Sequence, residues 1–140
     1  KSVQKFPQEV EFKFLQVAFL LKYGKVDASL DIVEKLKLSQ PNDYRPLALE
    51  ANIYYRKRNY EKAEISQKWA TELAPKNANL KNNLALIYEQ MALLYLNAKE
   101  KEKAKTNLEL AKIQIDLAVS ANQNPIYLEN QKISRKIIKQ

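Results

Sequence analysis

The chain has 140 residues, of which 46% are hydrophobic, so it is long and apolar enough to bury the core of one domain. A single Gly and five Pro favour long helices with short turns over an all-β fold. The absence of Cys and His excludes thiolate and imidazole metal ligands and the catalytic pairs that use them. We therefore predict no catalytic residue, no metal and no cofactor.

The net charge of +8 is spread evenly along the chain. Residues 1–70 carry 13 basic and 9 acidic groups, and residues 71–140 carry 11 and 7. An even excess is typical of a solvating surface, whereas a nucleic-acid binder concentrates its basic groups in a stripe. No apolar run approaches the roughly 20 residues that span a bilayer, and no signal peptide is visible. The chain begins with Lys1 rather than Met, which indicates an excised or processed segment.

The first predicted repeat unit covers about residues 8–41. Its first helix contains the segment EFKFLQVAFLLKY, which is apolar on most sides, and Gly24 marks the turn that follows. A helix of this kind is usually buried or covered by a partner. We therefore expect the stretch Phe12–Leu21 to contact a missing upstream segment or another protomer, and a homo-oligomer through this stretch is one alternative.

The second predicted unit, residues 44–75, takes part in a repeat of 34 residues. Shifted by 34 places, Ala51 falls on Ala85 and Tyr54 falls on Tyr88. A period of 34 is typical of helix–turn–helix repeats in which small residues mark the points where two helices cross closely.

The stretch YRPLALEANIYYRKRNYEKAEISQKWATELAP in this unit resembles the consensus of the tetratricopeptide repeat (TPR) family. Gln67 departs from it, because the family usually has an aromatic residue there. The resemblance implies an all-α superhelix whose first helices line a concave, partner-binding surface. The matching positions are Leu47, Ala51, Tyr54, Tyr60, Ala63, Ala70 and Pro75.

The third predicted unit, residues 78–121, departs from the family in length. Its first helix keeps the apolar pattern, but the second-helix positions Ala104, Leu108 and Ala111 come seven residues late. The spacing predicts a lengthened hairpin with a short turn near Ala98–Lys99 and helices over Ala78–Asn97 and Glu100–Ala121. The alternative is one continuous helix, because Asn97 is the only turn former in this region.

A last helix is predicted over residues 125–139, after Pro125. Its apolar residues alternate with basic ones, which is typical of a solvated cap on a terminal repeat. A basic helix lying on a membrane surface is the alternative, but the apolar stripe is short, and we expect no membrane partner. Together the units predict a single domain over residues 1–140. The apolar residues of this helix are Ile126, Leu128, Ile133, Ile137 and Ile138.

The resemblance places a binding groove on the first helices of the second and third units. Asn and Gln side chains both donate and accept hydrogen bonds, so they could hold the backbone of an extended peptide. The two arginines could hold a carboxylate, which suggests an acidic partner. Ala48 and Leu86 lie among them. The predicted binding residues are Arg45, Asn52, Tyr55, Arg56, Asn79, Asn82, Asn83, Glu89 and Gln90.

One specific TPR function is not supported by the sequence. Some TPR co-chaperones grip a C-terminal carboxylate with a Lys/Asn/Asn/Lys/Arg clamp, and Asn52 and Asn83 fall at two of its positions. Ala48 stands where the first Lys should lie, and the remaining Lys and Arg would need a further standard repeat.

The sequence therefore predicts a non-catalytic scaffold that holds a peptide or a segment of a partner protein in its groove. Homo-oligomerisation is the second hypothesis, and a nucleic-acid-binding surface, which the even charge disfavours, is the third. No glycine-rich phosphate loop and no nucleophile with its base supports an enzyme.

Overall fold

The computed structural model describes residues 7–122 and 124–139, and within them every regular element is a helix. Three helical hairpins and a final helix follow one another, as predicted. Residues 1–6, 123 and 140 of the predicted 1–140 domain lie outside the described residues, as do the side chains of Pro7, Ile138 and Lys139. The helices are α1 (Pro7–Lys22), α2 (Val26–Ser39), α3 (Tyr44–Arg56), α4 (Tyr60–Leu73), α5 (Ala78–Asn97), α6 (Lys101–Ala121) and α7 (Pro125–Lys139).

Capping side chains fix the starts of α3 and α5, on which the predicted binding residues lie. Asp43 Oδ1 accepts a hydrogen bond from the Arg45 backbone N–H at 2.9 Å. Asn77 Oδ1 accepts one from the Leu80 backbone N–H at 3.3 Å. These bonds satisfy donors that the first turn of a helix leaves unpaired, so Asp43 and Asn77 are the N-caps of α3 and α5.

The two helices of each hairpin are joined by a three-residue turn whose middle residue has a positive φ. Its middle residue is Gly24, Arg58 or Lys99, with φ of 75°, 61° and 62°. In the third hairpin the Glu100 N–H donates to the Tyr95 carbonyl at 2.8 Å, which closes the end of α5. Only Gly24 adopts this left-handed conformation without a steric cost.

The third hairpin is longer than the second in both of its helices. α5 has 20 residues where α3 has 13, and α6 has 21 where α4 has 14. Seven residues make about two turns at 3.6 residues per turn, so the additional length leaves the buried side of each helix facing the same way. The turn centred on Lys99 separates α5 from α6. The hairpin prediction is confirmed and the continuous helix is wrong.

Small residues allow close packing where the helices cross. Ala51 of α3 and Ala63 of α4 are buried, and Ala85 of α5 and Ala111 of α6 are buried in the same way. Gln67, the departure from the TPR pattern, is also buried. Its Nε2 donates to the backbone carbonyl of residue 80 at 3.1 Å, so the amide takes the place of an aromatic ring without an unpaired donor.

A buried ion pair holds the first and second hairpins together. Glu50 of α3 accepts from Lys37 Nζ of α2 at 2.7 Å and from the Ser66 hydroxyl of α4 at 2.7 Å. Burial alone would raise the pKa of Glu50, but these two hydrogen bonds outweigh it and the pKa is lowered. The carboxylate therefore stays ionised at neutral pH inside the junction.

The final helix, α7, runs alongside α5 in the same direction. Asn130 Nδ2 donates to Asn82 Oδ1 at 2.8 Å, and the Tyr127 hydroxyl lies 3.4 Å from Asn79 Oδ1. α7 thus occupies the place that the first helix of a further unit would take. In the described ranges, none of the helices combines the length and apolar character that crossing a bilayer requires.

Candidate functional site

A groove of about 580 Å³ lies along α3 and α5, with α1 contributing to one wall. Polar side chains alternate in it with apolar ones: Asn52 and Asn83 face the same space as Ala48, Leu49 and Leu86. Asn52 is exposed and Asn83 is half-buried. The groove therefore offers amide groups for hydrogen bonding beside a small apolar floor.

The structure brings five of the nine predicted binding residues together in this groove. They come from two helices held side by side, and the buried Ala51 lies at the base of the same groove. The apolar Ala48 and Leu86, expected between them, line the same space. The five are Arg45, Asn52, Tyr55, Asn79 and Asn83.

Asn82 and Glu89 lie elsewhere, against α7. Asn82 is buried, with the Asn130 amide on its Oδ1, and Glu89 is half-buried beside Ser134. Burial raises the pKa of Glu89, and the hydroxyl of Ser134 offsets this only in part. The physical reason is that α7 packs along this side of α5, which turns two predicted contact residues into packing residues.

Arg56 and Gln90 flank the lining residues. Arg56 Nε donates to Asn52 Oδ1 at 3.1 Å, and its Nη1 donates to the Leu21 carbonyl at 2.9 Å. Gln90 lies beside the Tyr55 hydroxyl. These two side chains hold groove residues in position: Arg56 fixes the amide of Asn52 so that its Nδ2 is the group left to donate.

Arg45 forms ion pairs with two carboxylates of its own chain. Its Nε and Nη2 donate to Asp43, with Nη2 to Oδ2 at 2.8 Å, and its Nη1 donates to Glu11 at 3.0 Å. Its guanidinium carbon lies 4.2 Å from the centre of the Phe14 ring. The hydrogen bonds to Asp43 raise the pKa of Arg45. Since both forks of the guanidinium already meet carboxylates, Arg45 stiffens the wall of the groove.

Tyr55 supplies an aromatic surface at one end of the groove. Its ring meets the Tyr60 ring edge-on, with centres 5.3 Å apart. Burial, with Tyr60 and Glu89 nearby, raises the pKa of Tyr55, so the hydroxyl is neutral over the physiological range. It can therefore both donate and accept a hydrogen bond.

Several lining residues were missed by the sequence analysis. Phe14 of α1 lines the groove, and a backward shift of 34 places from Ala48 leads directly to it. The 34-residue shift, applied to the first unit, would therefore have identified Phe14 as a lining residue. Gln67 and Asn77 also line the groove, but they belong to α4 and to the turn before α5, and a rule restricted to first helices could not find them.

The residues described hold no cluster of three or more acidic side chains that would suit a metal ion. The groove itself presents amides, an aromatic hydroxyl and apolar side chains, with its arginine paired to carboxylates. Such a set can bind and orient a chain of peptide groups by hydrogen bonds and apolar contact.

Comparison with known proteins supports the fold through structure alone. The sequence matches no protein-family model and no curated protein. Among solved structures, the first TPR of Spaghetti (RPAP3), bound to the HSP90 peptide SRMEEVD, superposes with a TM-score of 0.71 at 16% identity, covering 96% of this chain and 97% of that one. The fold is of the TPR type. The architecture expected from the 34-residue repeat is thereby confirmed.

Two further solved structures have the same fold. The Yersinia enterocolitica type III secretion translocator chaperone SycD gives a TM-score of 0.63 at 15% identity, over 96% of this chain and 90% of that one. PcrH, in complex with the chaperone binding region of PopD, gives 0.65 at 12% identity, over 97% and 93%. Similarity at these identities concerns the course of the backbone, so function must be argued from this chain's own groove.

Proposed function

We propose that this chain is a non-catalytic scaffold that binds an extended peptide, or an extended segment of a partner protein, in the groove between α3 and α5. One observation carries the proposal: Asn52, Asn79 and Asn83 converge on a concave surface with an apolar floor. An extended peptide exposes a donor and an acceptor at every residue, and amide side chains match both.

The apolar floor adds a side-chain requirement to backbone recognition. Ala48, Leu49 and Leu86 lie between the amides, so a ligand with a medium-sized apolar side chain near its centre fits best. A ligand carboxylate would have to compete with Asp43 and Glu11 for Arg45. We therefore expect affinity to depend little on ligand charge, in contrast to the acidic partner that the sequence suggested.

The related folds are compatible with this class of ligand. The TPR of Spaghetti is described as bound to an HSP90 peptide, and PcrH is described in complex with a region of PopD. Both partners are peptides or segments of proteins. We propose the same class of ligand here, and not those partners themselves.

The proposal is tested by selecting peptides on the immobilised protein and measuring the affinity of a selected peptide by calorimetry. The variant Asn52→Ala/Asn83→Ala should weaken binding about fivefold to 150-fold, because two hydrogen bonds of about 0.5–1.5 kcal/mol each are lost. The matched control is Asn42→Ala/Asn97→Ala, which changes two exposed amides outside the groove.

A second experiment tests backbone recognition directly. Replacing single amides of the selected peptide by esters removes one N–H donor at a time and leaves the side chains in place. Affinity should fall at two or three adjacent positions, and it should change little with salt because few exposed charges take part. Equal binding by the groove variant and the wild type, or no effect of any ester, would refute the proposal.

Self-association remains the second candidate function. It rests on a different surface, the outer face of α1, and it is compatible with a ligand in the groove, because Phe14 is the one described side chain of α1 that lines the groove.

A further inference from the structure

The outer face of α1 exposes a continuous apolar stripe. Phe12, Leu15 and Phe19 of α1 and Tyr23 in the turn directly after it are 61%, 67%, 62% and 60% exposed, at successive spacings of three, four and four residues. Three of them, Phe12, Leu15 and Phe19, border a shallow depression on the surface together with Gln16 and Leu20. Exposed apolar side chains grouped in this way usually mark an interaction surface.

The Phe12 and Phe19 positions of this face are covered in the other two hairpins, and the Leu15 position is half-buried there, at Leu49 and Asn83. A shift of 34 places carries Phe12 to Pro46 and Phe19 to Ile53, which are fully buried. Ile53 packs in one cluster with apolar residues of α2, the helix that precedes it in the stack. A further shift reaches Ile87, which is 2% exposed. The α1 stripe is thus a stacking face of the repeat, built to receive a helix.

We propose that a second copy of this chain covers the stripe, with the two α1 helices antiparallel around a twofold axis near position 17. This arrangement places Leu15 opposite Phe19 of the second copy, and Phe12 opposite Tyr23 of the second copy. Each contact then occurs twice, as a twofold dimer requires. The spacing of the stripe is nearly the same read in either direction, so it is complementary to itself.

The charges beside the stripe favour the antiparallel orientation. Glu11 and Lys22 lie on the same edge of the stripe, near opposite ends of α1. In an antiparallel twofold pair the same edge of each helix faces itself, so Glu11 of one copy meets Lys22 of the other twice. Glu11 also pairs with Arg45 of its own chain, but both side chains are exposed enough to serve two partners.

The available area suits a weak dimer. Four large side chains that are each more than half exposed offer about 500 Å² per copy, taking about 150–250 Å² for a fully buried large side chain. About 1,000 Å² in total is close to the lower limit for a specific interface. We therefore expect micromolar dissociation, observable only at high protein concentration.

Sedimentation velocity over a concentration series tests the dimer. The wild type should pass from monomer to dimer, and Phe19→Glu should remain monomeric because it places a carboxylate within the apolar interface. The matched control Ile65→Glu changes a side chain of similar exposure on α4 and should dimerise like the wild type. A wild-type monomer at every concentration, or an unchanged Phe19→Glu dimer, would overturn the proposal.

Charge reversal and cross-linking test the antiparallel orientation. Glu11→Lys and Lys22→Glu should each weaken the dimer, and the double variant should restore it. The chain contains no Cys, so Gln16→Cys introduces a single thiol at an exposed position beside the stripe and next to the proposed axis. It should form a disulfide-linked dimer under mild oxidation faster than the control Lys68→Cys on α4. Equal rates, or no restoration by the double reversal, would exclude this arrangement.

The groove experiments and the dimer experiments fail independently. Phe14 lines the groove from the opposite side of α1, and neither Phe19 nor Gln16 lines it, so Phe19→Glu and Gln16→Cys leave the groove residues in place. Glu11 also pairs with Arg45 of the groove wall, so the charge reversals are judged by dimerisation alone and not by peptide binding. A monomer that binds peptide would therefore refute the dimer alone.

Discussion

The second and third hairpins place different chemistry at the same position of the repeat. Glu50 in α3 and Leu84 in α5 are 34 residues apart, and both are buried against the preceding hairpin. Glu50 is satisfied there by Lys37 and Ser66, whereas Leu84 lies in a cluster of apolar side chains. The repeat therefore requires that this position be filled and satisfied, and both an ion pair and an aliphatic side chain meet that requirement.

The largest expected change in stability comes from placing a carboxylate at the equivalent position of the third hairpin. Leu84→Glu would bury an acid without a counter-ion, because Thr71 stands where Lys37 stands one unit earlier, and its hydroxyl donates to the carbonyl of Gln67. We expect a loss of about 3–5 kcal/mol in the free energy of unfolding, measured by urea denaturation.

The control for this substitution is Leu93→Glu, which changes an exposed leucine of the same helix. It should change stability by less than about 0.5 kcal/mol. If Leu84→Glu and Leu93→Glu lost similar amounts of unfolding free energy, the burial of Leu84 would not be the cause of the loss.

The reverse exchange should have a smaller effect. Glu50→Leu makes the second hairpin resemble the third, and Lys37, which is partly exposed, can turn its ammonium group towards water. We expect the stability at neutral pH to change by no more than about 1 kcal/mol, because apolar replacements of buried ion pairs are often neutral. If urea denaturation showed that Glu50→Leu loses more than about 3 kcal/mol of unfolding free energy, an aliphatic side chain could not replace the ion pair at this position of the repeat.

The same variant should alter the response to acid. The folded pKa of Glu50 is lowered, so its contribution to stability is complete above the ordinary carboxyl pKa and is lost as the pH falls through the lowered value. Between about pH 5 and pH 3 the wild type should therefore lose stability more steeply than Glu50→Leu. Parallel curves of unfolding free energy against pH would show that the pair contributes nothing.

The smallest effects are expected at the turns. Arg58 and Lys99 hold the left-handed conformation that Gly24 adopts in the first hairpin. Arg58→Gly and Lys99→Gly should each stabilise the chain by about 0.5–1 kcal/mol, measured as a rise in Tm, while Gly24→Ala should destabilise it by a similar amount. A fall in Tm for both glycine variants would show that the side chains of Arg58 and Lys99 matter more than backbone strain.

The sequence predicted the backbone better than the site. The 34-residue shift located the hairpins, and the late arrival of Ala104 and Ala111 located the two long helices to within one residue. Such features follow from local spacing, which a sequence displays directly.

Contacts between distant side chains could not be predicted in this way. Asn130 reaches Asn82 across 48 residues, and Arg56 reaches the Leu21 carbonyl across 35. These contacts decide which predicted binding residues face the groove. They depend on how α1 packs against α3 and how α7 packs against α5, and the 34-residue period does not specify this packing.

The extra two turns of α5 and α6 divide one helix into two environments. Near Met91 and Tyr95, α5 still faces the turn of the second hairpin across a small cleft, but beyond that point Leu96 is exposed and α6 is its neighbour. The whole additional length of α5, residues 91–97, is about 10 Å at 1.5 Å per residue, and only its last residues extend past the second hairpin. Amide hydrogen exchange should therefore be fast at the tip and slow at Ala85, and the tip can fray and close again while the stack stays intact.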